Sequence, residues 1–477
     1  LKFKIKADAH HFFSKLSTVF LQKHHSMETT SLVSKYNVPG PRYTSYPTVP
    51  YWSKTSWETN DWIETVKKGL VLDGANTIGI YIHLPYCDAL CTFCGCHKHI
   101  TTNHQVESPY IDAVLKEWNL LLMELPNGIK INSIHLGGGT PTFFSPTELA
   151  RLITGIITKT PLIAGAELGF EAHPKSTSEA HLFELNQLGF TRVSFGIQDY
   201  DPIVQTAIHR TQSFEEVALV HAQAKENGYT SISHDLVFGL PKQTICGFRK
   251  TVEKTISLLP ERISLYSYAH VPWIKGTGQR GFDENDLPSG TTKRALYEMA
   301  KNMFTEAGYV EIGMDHFALP SDEMAIAAQK KQLHRNFMGY TTQNSPVLIG
   351  LGMSAISDAW FGFAQNEHSV KAYIERLANN ELPLTRGHEL TREDLEIRQH
   401  ILNLMCHFET EINPGSVIHF GEIIQRLFPM IEDELVAIED NYIRVTEKGI
   451  PFVRNCCMAF DAYLKNPISK PTFSLTI

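Results

Sequence analysis

The chain is expected to adopt an α/β fold, parallel strands alternating with crossover helices, followed by a small, mostly helical C-terminal unit. Short β-branched or aromatic runs recur at 78–84, 132–136, 166–172, 192–198, 231–238 and 262–268. Between them, stretches at 107–125, 146–159, 178–188, 214–227 and 244–259 carry apolar residues three and four apart, the helical spacing. Such alternation yields parallel strands joined by helices. Polar and glycine-rich features also gather where the strands end, the side on which parallel α/β folds build active sites. Six units of this kind fit a doubly wound sheet or an incomplete barrel, and periodicity leaves both open.

In order, a Pro-rich aromatic lead-in, Pro39-Gly-Pro-Arg-Tyr-Thr-Ser-Tyr-Pro47, precedes the first run, which is followed by Cys87. The second run is followed by Gly137-Gly-Gly-Thr-Pro-Thr142, the third ends at Glu171, and the fourth at Gln198-Asp199. Asp235 lies within the fifth, and Tyr268-Ala269-His270 close the sixth. A helix at 291–307 and a short strand Tyr309–Gly313 come next, then irregular segments rich in His, Asn, Gly and Tyr, of the kind that often carry function. From 390 to about 464 the pattern is mainly helical, with Thr391-Arg-Glu-Asp394 as a capping box. The expected organisation is an extension or leader at 1–26, a segment covering the active site at 27–75, the α/β unit and its extension at 76–380, and the small unit at 381–477. The lysines of 1–26 (Lys2, Lys4, Lys6, Lys15, Lys23) face a single Asp8, and Met27 is an alternative start.

With 43% hydrophobic and 20% charged residues the 477-residue composition is that of a globular protein. A net charge of -8 argues against a broad nucleic-acid surface, while a local basic pocket for a carboxylated ligand stays compatible with it. No apolar run approaches the roughly 20 residues of a membrane span. Eight cysteines are too few for a disulfide scaffold, and the clustering of four of them indicates metal chemistry in a reducing, cytoplasmic setting.

That cluster is Cys87-Asp-Ala-Leu-Cys91-Thr-Phe-Cys94-Gly-Cys96. Thiolates are soft ligands for iron-sulfur clusters and zinc. Three cysteines on a four-iron cubane leave one iron open to a small molecule, whereas a closed zinc site would recruit Cys96, His83, His97 or His99 as fourth ligand. A zinc ribbon normally repeats its paired cysteines, and Cys246, Cys406, Cys456 and Cys457 form no second C-x2-C. Glycines 137–139 allow close backbone approach and offer amides to a polar ligand, and Glu171, Gln198, Arg210 and Asp235 would make a pocket for amino-acid and ribose groups.

The C-x3-C-x2-C loop resembles the signature of the radical S-adenosylmethionine (SAM) superfamily. The resemblance implies an incomplete (β/α)6 barrel, one [4Fe-4S] cluster held by Cys87, Cys91 and Cys94, and SAM on the open iron, cleaved to methionine and a 5'-deoxyadenosyl radical. Pro39 to Pro47, Cys94-Gly-Cys96, Gly196-Ile-Gln-Asp199, Gly239-Leu-Pro-Lys-Gln243, Gly313-Met-Asp-His-Phe317 and His334-Arg-Asn-Phe-Met-Gly-Tyr-Thr-Thr342 are similar, more narrowly, to the oxygen-independent coproporphyrinogen III oxidase (dehydrogenase) family. That resemblance runs from about 33 to 465. It implies conversion of the ring A and B propionates of coproporphyrinogen III to vinyl groups in haem biosynthesis, with two SAM molecules bound. Carried over by motif, Tyr81, Gly138, Glu171 and Ile356 serve the first SAM. Phe93, Gly139, Thr140, Gln198, Arg210, Asp235 and Ala269 serve the second, and Cys96 is a fourth cysteine outside the cluster.

The pattern departs at Ala172-His173, where a valine-aspartate pair is expected. On charge, Arg42 and Arg335 are candidates for the substrate carboxylates. A low-potential donor such as a flavodoxin, no nucleic-acid partner and a monomeric state complete the expectation. Two alternatives remain: a haem-binding chaperone of the same superfamily and a haem-degrading radical SAM methyltransferase. The chaperone group lacks the fourth cysteine, has serine at the position of Asp199 and does not share the 334–342 run, so all three features favour the enzyme.

Overall fold

The computed structural model describes residues 31–52, 58–74, 76–274, 278–279, 281–412, 416–465 and 473–476; the expected leader and Met27 lie outside them. Among the described residues twelve strands form one sheet. Its centre is β1 (Thr77–Leu84), β2 (Lys130–Gly138), β3 (Leu162–Ala172), β4 (Arg192–Gln198), β5 (Ser231–Phe238) and β6 (Arg262–Ser267), side by side in chain order and all parallel. The crossovers are α1 (Glu107–Glu124), α2 (Pro146–Ile157), α3 (Glu179–Gln187), α4 (Phe214–Glu226) and α5 (Ile245–Leu258).

That order decides between the two architectures. A doubly wound sheet reverses direction after its first strands, whereas right-handed crossovers taken without reversal put every helix on one face and curl the sheet toward a barrel. The parallel set does not close. Beyond β6 the α6 helix (Gly290–Glu306) leads to antiparallel β7 (Val310–Gly313) and β8 (His316–Ala318), with β8 against β6. On the other side β1 pairs with parallel β9 (Leu348–Leu351), followed by antiparallel β10 (Ile356–Asp358), β11 (Gly362–Asn366) and β12 (Leu384–Glu389). This is an incomplete (β/α)6 barrel widened at both edges.

The strands are two-faced. Ile78, Ile80, Ile82 and Leu84 of β1 are fully buried in the large core, while the alternate residues Gly79, Tyr81 and His83 point to the opposite, inner face. Helices begin where the sequence supplies an N-cap: Ser145, Ser178, Ser213 and Thr244 each accept a backbone N–H of the first turn. The C-terminal unit packs α7 (Arg392–His407), α8 (Phe420–Glu432) and α9 (Val453–Phe460) on a three-stranded antiparallel sheet, Glu409–Glu411, Tyr442–Val445 and Val436–Glu439. Tyr43 and Tyr46 of the lead-in, with Leu32, Val33 and Tyr36 just before it, share that unit's core. Arg454 clasps the same segment, donating to the carbonyls of Gly40, Pro41, Leu475 and Thr476. No helix among the described residues is long and apolar enough to cross a membrane.

At the barrel floor Arg262 Nε lies 2.8 Å from Asp322 Oδ1, the two side chains only 5% and 3% exposed. Asp322 also accepts from Ser231 Oγ at 3.0 Å and Met324 N at 2.8 Å. Asp322→Ala therefore strands a buried guanidinium, and the expected loss is about 3–5 kcal/mol, read as a lower urea midpoint.

A second stability prediction concerns His221 and His234, buried between α4 and β5, with Nδ1 of one 3.1 Å from Nε2 of the other. Their remaining nitrogens, His221 Nε2 and His234 Nδ1, have no partner. Burial lowers His221 to about 4 and holds His234 well below the usual histidine range. Both are neutral when folded, so their contribution is intact above the unfolded value near 6.5 and is lost as pH falls toward 4. Between pH 6.5 and 5 the urea midpoint should drop, by the equivalent of about 1.5 kcal/mol from His221 alone. His234→Met should flatten that slope.

Candidate active site

The chain leaves β1 through Pro85 and enters the cysteine loop, whose ends are pinned by a two-residue parallel pairing of Tyr86–Cys87 with His99–Ile100. The end of β2 is fastened to the same loop: Gly139 N donates to Leu84 O at 2.8 Å, Thr140 N to Tyr86 O at 2.9 Å, and Thr140 Oγ1 to Cys87 Sγ at 3.3 Å. The Gly139 amide is thus engaged with the chain's own carbonyl instead of being held out to a ligand. What the glycines provide is room. A Cβ on Gly139 would stand 2.6 Å from the Pro85 main chain, and one on Gly138, at φ +111°, 2.7 Å from the His83 ring.

A cavity of about 510 Å³ opens between this loop and the ends of β2 to β5, within the range of small-molecule sites. Its walls bring together Cys87, Cys91, Phe93, Cys94, Gly138, Gly139, Thr140, Glu171, Gln198, Arg210 and Asp235, all named from the sequence. Cys96, Lys98 and His173 join them. Tyr81, Ala269 and Ile356 lie outside that lining. Tyr81 sits on the inner face of β1, stacked on His135 with ring centroids 6.2 Å apart, its hydroxyl 3.2 Å from His83 Nδ1. Ala269 is tied in through Gln279, whose Nε2 donates to Ala269 O at 3.0 Å and to Phe93 O at 3.1 Å. Ile356 opens β10 and packs against Trp52, Phe363 and Leu390.

The polar groups have defined surroundings. Gln198 ends β4 in the left-handed region, φ +67°, strain of the kind that collects at functional sites. Arg210 spends one nitrogen on Gly196 O at 2.6 Å, places NH1 3.9 Å from Cys91 Sγ and keeps a buried, unpaired Nε. Burial raises the Asp235 carboxyl to about 6, partly offset by hydrogen bonds from Ser194 and Ser264. Burial and then Arg210 lower His173 to about 3; its Nδ1 accepts from Lys175 N at 3.1 Å, leaving the proton on Nε2. Asp199 is not a ligand but a tie: fully buried, it accepts from Gln243 Nε2 at 2.7 Å, from Asp201 N at 2.8 Å and from Thr251 Oγ1.

The donor set fits a cubane. Cys87, Cys91 and Cys94 are free thiols on one wall, within electrostatic reach of one another. Burial raises Cys87 to about 11, whereas the hydrogen bond from Cys96 brings Cys94 down to about 6. Among the described residues no three His, Cys, Asp or Glu side chains converge tightly enough for a single metal ion. A polynuclear cluster has no such requirement, since each thiolate takes a different iron. The histidines of the zinc alternative are engaged or apart: His83 Nε2 donates to His97 O at 2.8 Å, His97 Nδ1 bonds Ser354 Oγ, and exposed His99 stacks edge-on against Tyr86.

Arg42 and Arg335 also lie outside the lining of the cysteine cavity. The lead-in sends Arg42 to Asp315, its guanidinium 6.0 Å from the Tyr266 ring centre. Arg335, 9% exposed, stacks on Tyr340 at 4.7 Å with Nε and NH1 buried and unpaired. His316 lies within electrostatic reach of both cations and of Asp315. Sequence reasoning missed Lys98 and Gln279. Lys98 had a signal, as the first cation beyond the cysteine motif; Gln279 had none.

Residues 81–255 match the model of the radical SAM superfamily. The chain is 37% identical over 454 residues to the oxygen-independent coproporphyrinogen III oxidase of Salmonella typhimurium, covering 94% of this chain and 98% of that one. It is 35% identical to the protein of that name from Synechocystis, again over 94% and 98%. Among solved structures, coproporphyrinogen III oxidase (HemN) from Escherichia coli, described as a radical SAM enzyme, superposes with a TM-score of 0.84 at 36% identity, covering 88% of this chain and 97% of that one. With that identity along nearly its whole length, and with the three thiols gathered at the mouth of an incomplete barrel, the chain belongs to the oxygen-independent coproporphyrinogen III oxidase family of radical SAM enzymes.

Proposed function

We propose that this chain oxidatively decarboxylates the ring A and B propionates of coproporphyrinogen III to vinyl groups, giving protoporphyrinogen IX and carbon dioxide. The observation that carries the reading is the shared cavity, in which Cys87, Cys91 and Cys94 face Glu171, Arg210 and Asp235 from the ends of neighbouring elements. A bound cluster and SAM would supply a 5'-deoxyadenosyl radical to take a propionate hydrogen, the substrate then giving up carbon dioxide and one electron; the protein's own part is to bind, orient and shield.

Cys87, Cys91 and Cys94 hold the cluster. Gly138 and Glu171, backed by Tyr81 and Ile356, receive the SAM that meets it. Phe93, Gly139, Thr140, Gln198, Arg210, Asp235 and Ala269 receive a second SAM, for which a 510 Å³ cavity with acidic and cationic walls offers both ribose acceptors and a carboxylate partner. Arg42 and Arg335 hold carboxylates of the substrate. The buried, unpaired nitrogens of Arg335 support that role, because an uncompensated buried guanidinium is costly unless an anion reaches it. The lead-in that carries Arg42 covers the site, and a low-potential one-electron protein reduces the cluster.

The test is to reconstitute the cluster anaerobically and supply reductant, SAM and coproporphyrinogen III. Protoporphyrin, measured after oxidation, should appear together with 5'-deoxyadenosine. SAM cleavage without a vinyl product, accompanied by tight haem binding, would overturn the reading in favour of the chaperone.

A further inference from the structure

Lys98 follows the cysteine triad, and the chain bends so that its ammonium returns over the loop. Its Nζ lies 3.3 Å from Cys94 O and 3.3 Å from Cys96 O, and the side chain lines the cavity beside all three thiols. Among the described residues it forms no ion pair with a carboxylate, so its charge is not cancelled locally. Arg210, whose NH1 lies 3.9 Å from Cys91 Sγ, already has its NH2 bound to Gly196 O.

We propose that Lys98 sets the reducibility of the cluster. Resting on the cluster reading above, the argument is electrostatic. When one electron passes from an external one-electron donor to the cluster, the site becomes more negative by one charge, and no bond is made or broken. A fixed ammonium against the ligand loop stabilises that reduced state more than the oxidised one, in a cavity where Coulomb interactions are weakly screened. Surface charge steers a donor; Lys98 acts on the electron after it arrives.

The experiment is an EPR-monitored redox titration of reconstituted wild type, Lys98→Gln and Lys98→Arg, with iron content measured on the same samples. Lys98→Gln should load iron as the wild type does but hold about tenfold less reduced cluster at a fixed potential, a shift of about 59 mV to lower potential. Lys98→Arg should stay at the wild-type midpoint, and a strong reductant in excess should restore 5'-deoxyadenosine formation in Lys98→Gln. An unchanged midpoint in Lys98→Gln, or an equal shift in Lys98→Arg, would overturn the proposal. Failure of Lys98→Gln alone to load iron would assign Lys98 to holding the loop and overturn it likewise. A wild-type protein that gives no signal of a reduced [4Fe-4S] cluster would instead remove the cluster reading beneath it.

Discussion

Cys91→Ser is expected to yield a folded protein that binds almost no iron and makes no protoporphyrin above background. Serine is nearly isosteric, and Cys91 is half-buried on a loop, so the change stays within about 0.5 kcal/mol of wild-type stability. What is lost is a soft thiolate, which a hard hydroxyl does not replace on iron. On the three-ligand reading proposed above, losing one leaves a second iron open and the cubane without a complete frame. Iron analysis, visible absorption and vinyl-product assay on anaerobically reconstituted protein check this together. Cys96→Ser is the control. It sits two residues beyond the triad, is expected to keep the iron, and if it also lost the cluster the assignment of three ligands would fall.

Gly139→Ala should be almost as damaging by a different route. Its Cβ would lie 2.6 Å from both C and O of Pro85 and 2.8 Å from Tyr86 O, all main-chain atoms that cannot rotate away. Relief requires parting the end of β2 from the cysteine loop, which breaks the Gly139-to-Leu84 and Thr140-to-Tyr86 hydrogen bonds and displaces Thr140 from Cys87. Overpacking of this kind costs about 1–3 kcal/mol, and here it falls on the ligand loop. Iron loading is therefore expected to collapse while the unfolding transition persists. Gly137→Ala is milder, its Cβ 3.1 Å from the Glu171 carboxylate and the Tyr81 ring, so it should retain iron and weaken SAM binding. Equal iron content in Gly139→Ala and wild type would contradict the packing argument.

Much of this arrangement was legible in the chain. The six parallel strands and their helices announce themselves because one face of each is continuously apolar, and β4 and β5 occupy 192–198 and 231–238 as periodicity predicts. β2 runs further than its apolar run, to Gly138, because Gly137 and Gly138 stay in register with His83 and Leu84. The edge strands β9 to β12 look irregular in sequence, since strands of three to six residues leave too little pattern to register. The same brevity hid the small sheet behind α7. At the site, the thiols and strand-end residues were visible as motifs. The pairing of Arg42 with Asp315, 273 positions away, was not, because nothing local to either residue encodes it.

The clasp around Arg454 bears on the order of biosynthesis. Pro39 bridges to Leu475, Gly40 N bonds Ser474 O, and Thr476 N bonds Val38 O, so the segment that carries Arg42 docks on residues made more than 400 positions after it. On a ribosome adding about 5–20 residues per second, the barrel and its cysteine loop can fold while that segment still has nothing to hold. The nascent protein accordingly passes through an interval in which the barrel is formed while Arg42 and the segment around it still lack the partners that fix them.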